Sequence, residues 1–239
     1  MKAFGGRMTS ALASLLLLAG MAHVTSAHAE TSLFDPADYT AWINLRLSQA
    51  NGERGWLDGG FGKLRHGDET SFDIAQAAVL WKPQLTDTFS GYVLLQGVSD
   101  AEVPVGVEEA YLQWKPVPKS GFRFGLRLGQ MFPPVSMEHD GTGWTTPRSL
   151  TPSAINSWIG EEVLVRGLEL NAQQSFAGHR LGLTLGGFTR DDTAGTLLSW
   201  RGWALHDMSS AENTRLKLPE GENQGWYRIF DDYQAPVNK

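Results

Sequence analysis

Residues 122–129 read Phe-Arg-Phe-Gly-Leu-Arg-Leu-Gly, a strict alternation between large apolar residues and arginine or glycine. Successive side chains of a β-strand point to opposite faces of the sheet. The pattern therefore predicts a strand with Arg123 and Arg127 on a polar face. The opposite, apolar face carries Phe122, Phe124, Leu126 and Leu128.

Similar runs occur on both sides of this strand. Ala110, Leu112 and Trp114 alternate with polar residues, and only 116–121 separates them from it, which predicts a hairpin. Further alternating or strand-like runs lie at 40–48, 72–82, 89–98, 162–174, 181–186 and 196–206. The phase slips inside one of them, which predicts a β-bulge at Arg166-Gly167. We expect about eight strands.

The connections between these strands alternate in length. Short connections at 83–88, 116–120 and 175–179 alternate with longer ones at 49–71, 99–105 and 131–161. Outer-membrane barrels have this asymmetry, with turns at one end and long loops at the other. The sequence therefore predicts an all-β, antiparallel up-and-down outer-membrane β-barrel over residues 30–206. A soluble β-sandwich, which has similar strands without the asymmetry, is the alternative.

The N-terminal segment 1–29 has the composition of a secretory signal peptide. Lys2 and Arg7 precede a short apolar run at 11–20, and Ala27-His28-Ala29 supplies the small-x-small pattern of a cleavage site. The apolar run is too short to span a bilayer, which takes about 20 residues. Export through a cleaved signal peptide is expected, with a retained anchor as the alternative.

Charge and composition exclude several classes of protein. The chain has 20 Lys+Arg and 26 Asp+Glu, and removing Lys2 and Arg7 with the signal peptide leaves 18 against 26, a net charge of −8. Nucleic acid is therefore not expected as a partner, because phosphate neutralisation takes a basic face. The absence of cysteine excludes disulfides and thiolate metal sites. No cofactor is expected.

The connection at 131–161 is the longest one between predicted strands, and its four prolines and its aromatic rings indicate a folded segment. We expect it to fold back onto the inner wall of the barrel. The reason is that Trp144, Ile155 and Trp158 need an apolar surface to cover them. The residues then expected at the constriction of the pore are Glu138, His139, Asp140 and Arg148.

Several short motifs resemble the phosphate-selective porin O and P family of Gram-negative bacteria. The motifs are Arg127-Leu128-Gly129-Gln130, Pro133-Pro134, Glu138, Gly160-Glu161-Glu162 and the run from Trp56 to Glu69. The resemblance covers residues 40–206 and implies a trimeric, 16-stranded diffusion channel whose third external loop folds into the lumen. The long loop contains no lysine cluster and the net charge is negative, so strong anion selectivity is not expected.

The predicted function is that of a passive outer-membrane porin for small hydrophilic solutes or anions, not an enzyme. Lipid accepts the apolar face of such a sheet and a water-filled lumen accepts the charged face. The expected pore-lining residues are Arg46, Arg123, Arg127 and Arg201. A solvated strand face or a salt bridge is the alternative role for each. The expected partners are outer-membrane lipid, small solutes or anions and, for a full-length chain, the other subunits of a homotrimer.

The runner-up is a soluble periplasmic or secreted β-sandwich that binds carbohydrate. Glu108-Glu109 and Glu161-Glu162 have the residue types of a glycosidase. Neighbours in a regular strand point to opposite faces, however, so neither pair is expected to converge on one bond.

Glu138-His139-Asp140 has the residue types of a metal site, yet adjacent ligands on one extended loop rarely converge without others.

The barrel is expected to be incomplete. Sixteen strands with their connections need roughly 300 residues or more, whereas 239 minus 29 leaves 210. Pro219, Pro236 and repeated polar residues predict an irregular tail at 207–239. We therefore expect an open, curved sheet whose first and last strands, at 40–48 and 196–206, do not pair.

Overall fold

The structure is a computed structural model, and only part of the chain is described. The described residues are 33–55, 60–64, 66–67, 69–97, 105–149, 151–153, 156, 164–190, 211, 216–217 and 233–234. The expected signal peptide at 1–29, the expected strand at 196–206 and its Arg201 lie outside them.

Seven strands form one antiparallel meander sheet in which each strand pairs with its neighbours in sequence. The strands are β1 Tyr39–Gln49, β2 Thr70–Trp81, β3 Phe89–Gly97, β4 Val105–Trp114, β5 Phe122–Met131, β6 Val165–Phe176 and β7 His179–Arg190. The predicted all-β, up-and-down arrangement is confirmed, and in the described part of the chain β1 and β7 are the two edges of the sheet. Closure into a barrel stays a prediction.

The connections differ in length as expected, although their bounds shift. β6 begins at Val165, so the long connection covers 132–164. β6 and β7 are joined by Ala177 and Gly178 alone, both with positive φ, 45° and 81°. Two positive φ values in a two-residue connection define the hairpin turn whose twist matches that of the flanking strands. The β6–β7 hairpin is therefore set by local backbone geometry.

The predicted bulge lies at the expected place, because the β6–β7 register shifts between Arg166 and Gly167. Arg166 pairs with Arg190 and Gly167 with Phe188, so the additional residue is Thr189 of β7, not a residue of β6. The slipped phase of the sequence therefore marked the position of the bulge but not the strand that carries it.

A second irregularity, not predicted, lies in β4. Glu109 pairs with Leu94, whereas Val107 pairs with Leu95, so Glu108 is an additional residue in its strand. Glu108 and Glu109 are both buried. Val107 and Glu109 lie on opposite faces with Glu108 between them, so regular alternation no longer assigns a face to Glu108.

The register gives the sheet one apolar and one polar face, because directly paired residues share a face. One apolar row runs across four strands through Trp114, Leu126, Leu170 and Leu185. The adjacent polar row pairs Gln113 with Arg127 and Arg127 with Glu169. The predicted division of β5 between apolar and arginine-bearing faces is confirmed.

A small ladder lies outside this sheet. β8 Leu216–Lys217 pairs with β9 Tyr233–Gln234 in a two-residue antiparallel ladder within the tail. Among the described residues, no helix has the length and hydropathy needed to cross a membrane.

Candidate functional site

Amide side chains form a hydrogen-bonded ladder on the polar face of β1 to β3. Gln76 Oε1 accepts from Trp42 Nε1 and from Asn44 Nδ2, each at 3.0 Å. Gln76 Nε2 in turn donates to Gln96 Oε1 at 2.7 Å. A ladder of this kind satisfies polar groups on a sheet face while leaving that face hydrophilic.

An ion pair joins β5 and β6 on the same face. Arg127 donates from Nε to Glu169 Oε1 at 2.9 Å and from Nη2 to Oε2 at 2.5 Å, a bidentate contact. The Arg127 guanidinium also lies 5.2 Å from the centre of the Tyr111 ring, which stacks on Tyr92. Arg127, expected to line a pore wall, is therefore compensated by a carboxylate and an aromatic ring.

Residues 132–149, which we name the covering segment, lie against this polar face. The segment begins at Phe132, whose backbone N–H donates to Glu109 Oε1 at 3.1 Å. The Phe132 carbonyl accepts from Arg127 Nη2 at 3.5 Å. Both backbone polar groups of one residue are thus held by side chains from adjacent strands. This double contact fixes the direction in which the chain leaves β5.

The covering segment contains a stack of three rings. Trp144 stacks on Phe132 with ring centres 4.7 Å apart and on His139 at 4.9 Å, with the planes nearly parallel. The neighbouring Gly143 lies so close to the sheet that a Cβ there would be 3.0 Å from both Leu94 and Trp42. The expected return of this connection onto the polar face is observed for its described part, whereas Ile155 and Trp158 lie outside it.

The apolar cluster under Gly143 explains why the segment packs at this place. The cluster consists of Ala78, Leu80 and Leu94, with Trp42 and Tyr92 against it. The Tyr92 hydroxyl is hydrogen-bonded to the backbone of Gly143. Apolar side chains on an otherwise hydrophilic face gain by being covered, and the glycine allows the chain to come close enough to cover them.

His139 is buried within the covering segment, with 6% of its surface exposed. Its Nδ1 lies 2.8 Å from Ser136 Oγ. Burial lowers the pKa of the imidazole, and the nearby Glu138 carboxylate offsets this in part. The expected constriction residue is thus a structural part of the segment that covers the sheet.

The three remaining expected constriction residues make separate contacts. Glu138 Oε2 accepts from the backbone N–H of Ser153 at 2.6 Å, and this hydrogen bond lowers the pKa of the carboxyl. Arg148 and Asp140 form an exposed ion pair at 2.9 Å. The structure therefore places Glu138 as a link to residue 153, and leaves Asp140 and Arg148 bound to each other.

The other described arginines that were expected to line the pore differ in their surroundings. Arg46 pairs across the sheet with Asp73. Arg123 is exposed and lines a cavity of about 670 Å³ on the polar face, together with Lys115 and Gln173. These positions all lie on the face that carries Arg127.

No family model matches this chain, and no curated protein or solved structure is significantly similar to it. The resemblance of residues 40–206 to the porin family therefore rests on its short motifs and stays a prediction.

The sequence reasoning did not single out Glu169 or Tyr111, which complete the surroundings of Arg127. Glu169 lies between Leu168 and Leu170, so alternation alone places it on the polar face. Only the register between β5 and β6 makes it the partner of Arg127. Alternation with Ala110 and Leu112 places Glu109 on the polar face, but its burial under Phe132 depends on the path of the covering segment.

The residue types of Glu138-His139-Asp140 do not assemble a metal site. Their side chains contact Ser153, Ser136 and Arg148 respectively, so they diverge from one another. In the part of the chain that the structure describes, no three His, Asp or Glu side chains are grouped so that they could hold a metal ion.

Proposed function

We propose that this protein is a passive outer-membrane channel for small hydrophilic solutes or anions and has no enzymatic activity. The observation that carries the proposal is the exposure of the apolar face of the sheet. Leu47 and Phe72 are directly paired and are 75% and 71% exposed. The last described strand exposes Leu181, Leu183 and Leu185 on this face. Lipid suits this face, because soluble proteins rarely expose apolar patches beyond a few hundred Å².

The distribution of aromatic rings supports a membrane. Six rings of the apolar face lie at the end of the sheet that carries the short turns, whereas Phe72 lies at the opposite end. The six rings are Tyr39, Trp81, Phe89, Trp114, Phe122 and Phe176. Trp81 stacks on both Phe34 and Tyr39 and donates its indole N–H to the Leu33 carbonyl. Aromatic side chains with one polar end suit the boundary between acyl chains and headgroups.

The polar face supports a water-filled path. It carries the amide ladder, the Arg127–Glu169 pair and the cavity beside Arg123. The covering segment narrows the space over part of this face, so solutes pass on the side that it leaves uncovered. Outer-membrane localisation after export completes the proposal, together with a homotrimer in a full-length form whose further strands close the barrel.

Membrane insertion is tested by substituting arginine on each face of the sheet. Leu183→Arg places a charge on the apolar face and costs about 2–4 kcal/mol at the middle of a bilayer. Gln173→Arg, on the polar face and paired with Gly182, is the matched control. In liposome flotation we expect the wild-type chain and Gln173→Arg to float with the vesicles and Leu183→Arg to remain behind.

A wild-type chain that stays soluble beside the vesicles would overturn the membrane proposal and favour the carbohydrate-binding sandwich. Conductance is measured separately, with the inserted protein in a planar bilayer under a salt gradient. Discrete steps with a measurable reversal potential are expected. Stable insertion without any conductance would contradict the channel and leave the membrane part standing.

A further inference from the structure

We propose that the covering segment is a pH-sensitive strap, which the neutral form of His139 holds on the polar face and which detaches when His139 takes up a proton. Detachment itself is independent of the proposed function. Only its consequence, a wider path over the polar face at low pH, rests on the channel.

The hydrogen bonds around Ser136 require a neutral imidazole. Ser136 Oγ accepts from the backbone N–H of Glu138 at 3.2 Å and from that of His139 at 3.3 Å. A hydroxyl has two acceptor positions and one proton. Both acceptor positions are taken, so the hydroxyl proton goes to His139 Nδ1, 2.8 Å away. His139 is then an acceptor at Nδ1 and carries its own proton on Nε2.

Protonation of His139 disrupts this arrangement. A proton on Nδ1 faces a hydroxyl oxygen that has no acceptor position left, so one of the two backbone N–H bonds must break. The charge also arises at a buried site, and burial is the main reason why the pKa of His139 is lowered. The Trp144 ring and the Glu138 carboxylate attract the cation and reduce this cost without removing it.

Backbone strain makes the segment ready to rearrange. Gly143 has φ of 69°, and Trp144, which is not a glycine, has φ of 53°. The left-handed region is unfavourable for an L-residue, because its Cβ comes too close to the following carbonyl oxygen. Trp144 stays there because its ring is stacked between Phe132 and His139. Loss of the His139 contact leaves this strain without its compensation.

Among the described residues, the other titratable groups near the covering segment make contacts of other kinds. On the segment itself the nearby charges are Glu138 and the Asp140–Arg148 pair. On the strands beneath it the groups are Tyr92, Glu108, Glu109, Tyr111, Arg127 and Glu169. Glu109 and Arg127 bind the segment at Phe132, on the opposite side of Trp144 from the imidazole.

The sign of the pH effect follows from the lowered pKa. The attached form binds the proton more weakly than the detached form, whose imidazole has its ordinary pKa near 6.5. The free energy that holds the covering segment on the sheet is therefore largest above that pH and decreases as the pH falls below it. Glu138, whose pKa is also lowered, acts in the same direction but in a more acidic range.

Double electron–electron resonance between two spin labels measures the detachment. The full chain contains no cysteine, so Met137→Cys and Val117→Cys introduce the only two labels. Met137 is 92% exposed and Val117 lies in the exposed β4–β5 turn, so neither label disturbs packing. In detergent micelles we expect one narrow distance distribution at about pH 7.5 and a broad one at about pH 5.

His139→Gln keeps a polar acceptor but removes both the titration and the ring that stacks on Trp144. Its distribution should therefore be the same at both pH values. His179→Gln, at the start of β7, is the matched control and should broaden as the wild type does. Ser136→Ala removes the hydroxyl donor and should move the midpoint up by roughly half to one pH unit, the worth of one hydrogen bond. The midpoint of Ser136→Ala still tests the proposal if the His139→Gln variant does not fold.

Three results would each overturn the strap: a wild-type distribution that is narrow at both pH values, one that is broad at both, or broadening of His139→Gln at low pH. An unchanged midpoint in Ser136→Ala would overturn the role assigned to the hydroxyl. None of these results depends on conductance. Detachment in a chain that does not conduct would leave the strap intact and count against the channel alone.

Discussion

At the scale of single residues, Gly129 is a position that cannot accept a side chain without strain. Its φ is 142°, and a Cβ there would overlap the Ala110 carbonyl oxygen on β4. Gly129→Ala should lower the free energy of unfolding by about 1–3 kcal/mol, through backbone strain and displacement of β4. Chemical unfolding in detergent measures this loss.

Gly186 on β7 is the control for that substitution, since nothing lies within 4 Å of a Cβ placed there. Gly186→Ala should change the free energy of unfolding by less than about 0.5 kcal/mol. Equal losses in the two variants would show that the close approach of β4 to Gly129 is not the cause.

The ion pair on the polar face gives the second prediction at this scale. Glu169→Gln keeps the size of the side chain but leaves the partly buried Arg127 without its carboxylate. We expect a loss of about 2–3 kcal/mol in the free energy of unfolding. Adding Arg127→Gln should recover part of it, because the uncompensated charge is removed. A double-mutant cycle with no coupling energy would contradict this assignment.

The residue scale also shows what the sequence could predict of the site. Alternation places Arg123 and Arg127 on the polar face because a side-chain period of two is a local property of a strand. The partner of Arg127 depends on the register between strands that are separated by the long connection, and no local pattern contains that information. His139 was expected in the constriction, but its hydrogen bond to Ser136 depends on the folded turn.

At the scale of elements, the β6–β7 hairpin carries a residue that does not suit its turn. Ala177 has φ of 45°, a conformation in which asparagine is preferred. Ala177→Asn should raise the free energy of unfolding by up to about 1 kcal/mol, by relieving the strain of alanine in the left-handed region. Ala177→Val, with a branched side chain, should lower it, and the two effects are measured by the same unfolding experiment.

The bulges show where element-level prediction stops. The phase slip in the sequence predicted an irregularity beside Arg166, since an extra residue shifts the apolar positions to the other face. The bulge at Glu108 leaves the same sign, since the apolar positions change from Val105 and Val107 to Ala110, Leu112 and Trp114, but no bulge was predicted from it. The additional residue there helps to bury two adjacent carboxylates, and one of them holds the start of the covering segment.

At the scale of the whole molecule, repeated alternation and short turns predicted the neighbour order of the seven described strands of the sheet. The expected strand at 196–206 lies outside the described residues. Alternation and short turns are local signals, and they predicted a meander of the observed kind. The two faces were predicted for the same reason. The path of the covering segment over Leu94 and Trp42 was expected only in outline, because it depends on contacts among strands distant in sequence.

The meander has one consequence for any closed form of this sheet. Successive strands run in opposite senses, so the first and the seventh run in the same sense. Joining these two edges directly would create a parallel pair, with slanted hydrogen bonds unlike those of the other six pairs. Uniformly antiparallel closure therefore requires an odd number of additional strands between β7 and β1, which makes the total even, as in bacterial outer-membrane barrels.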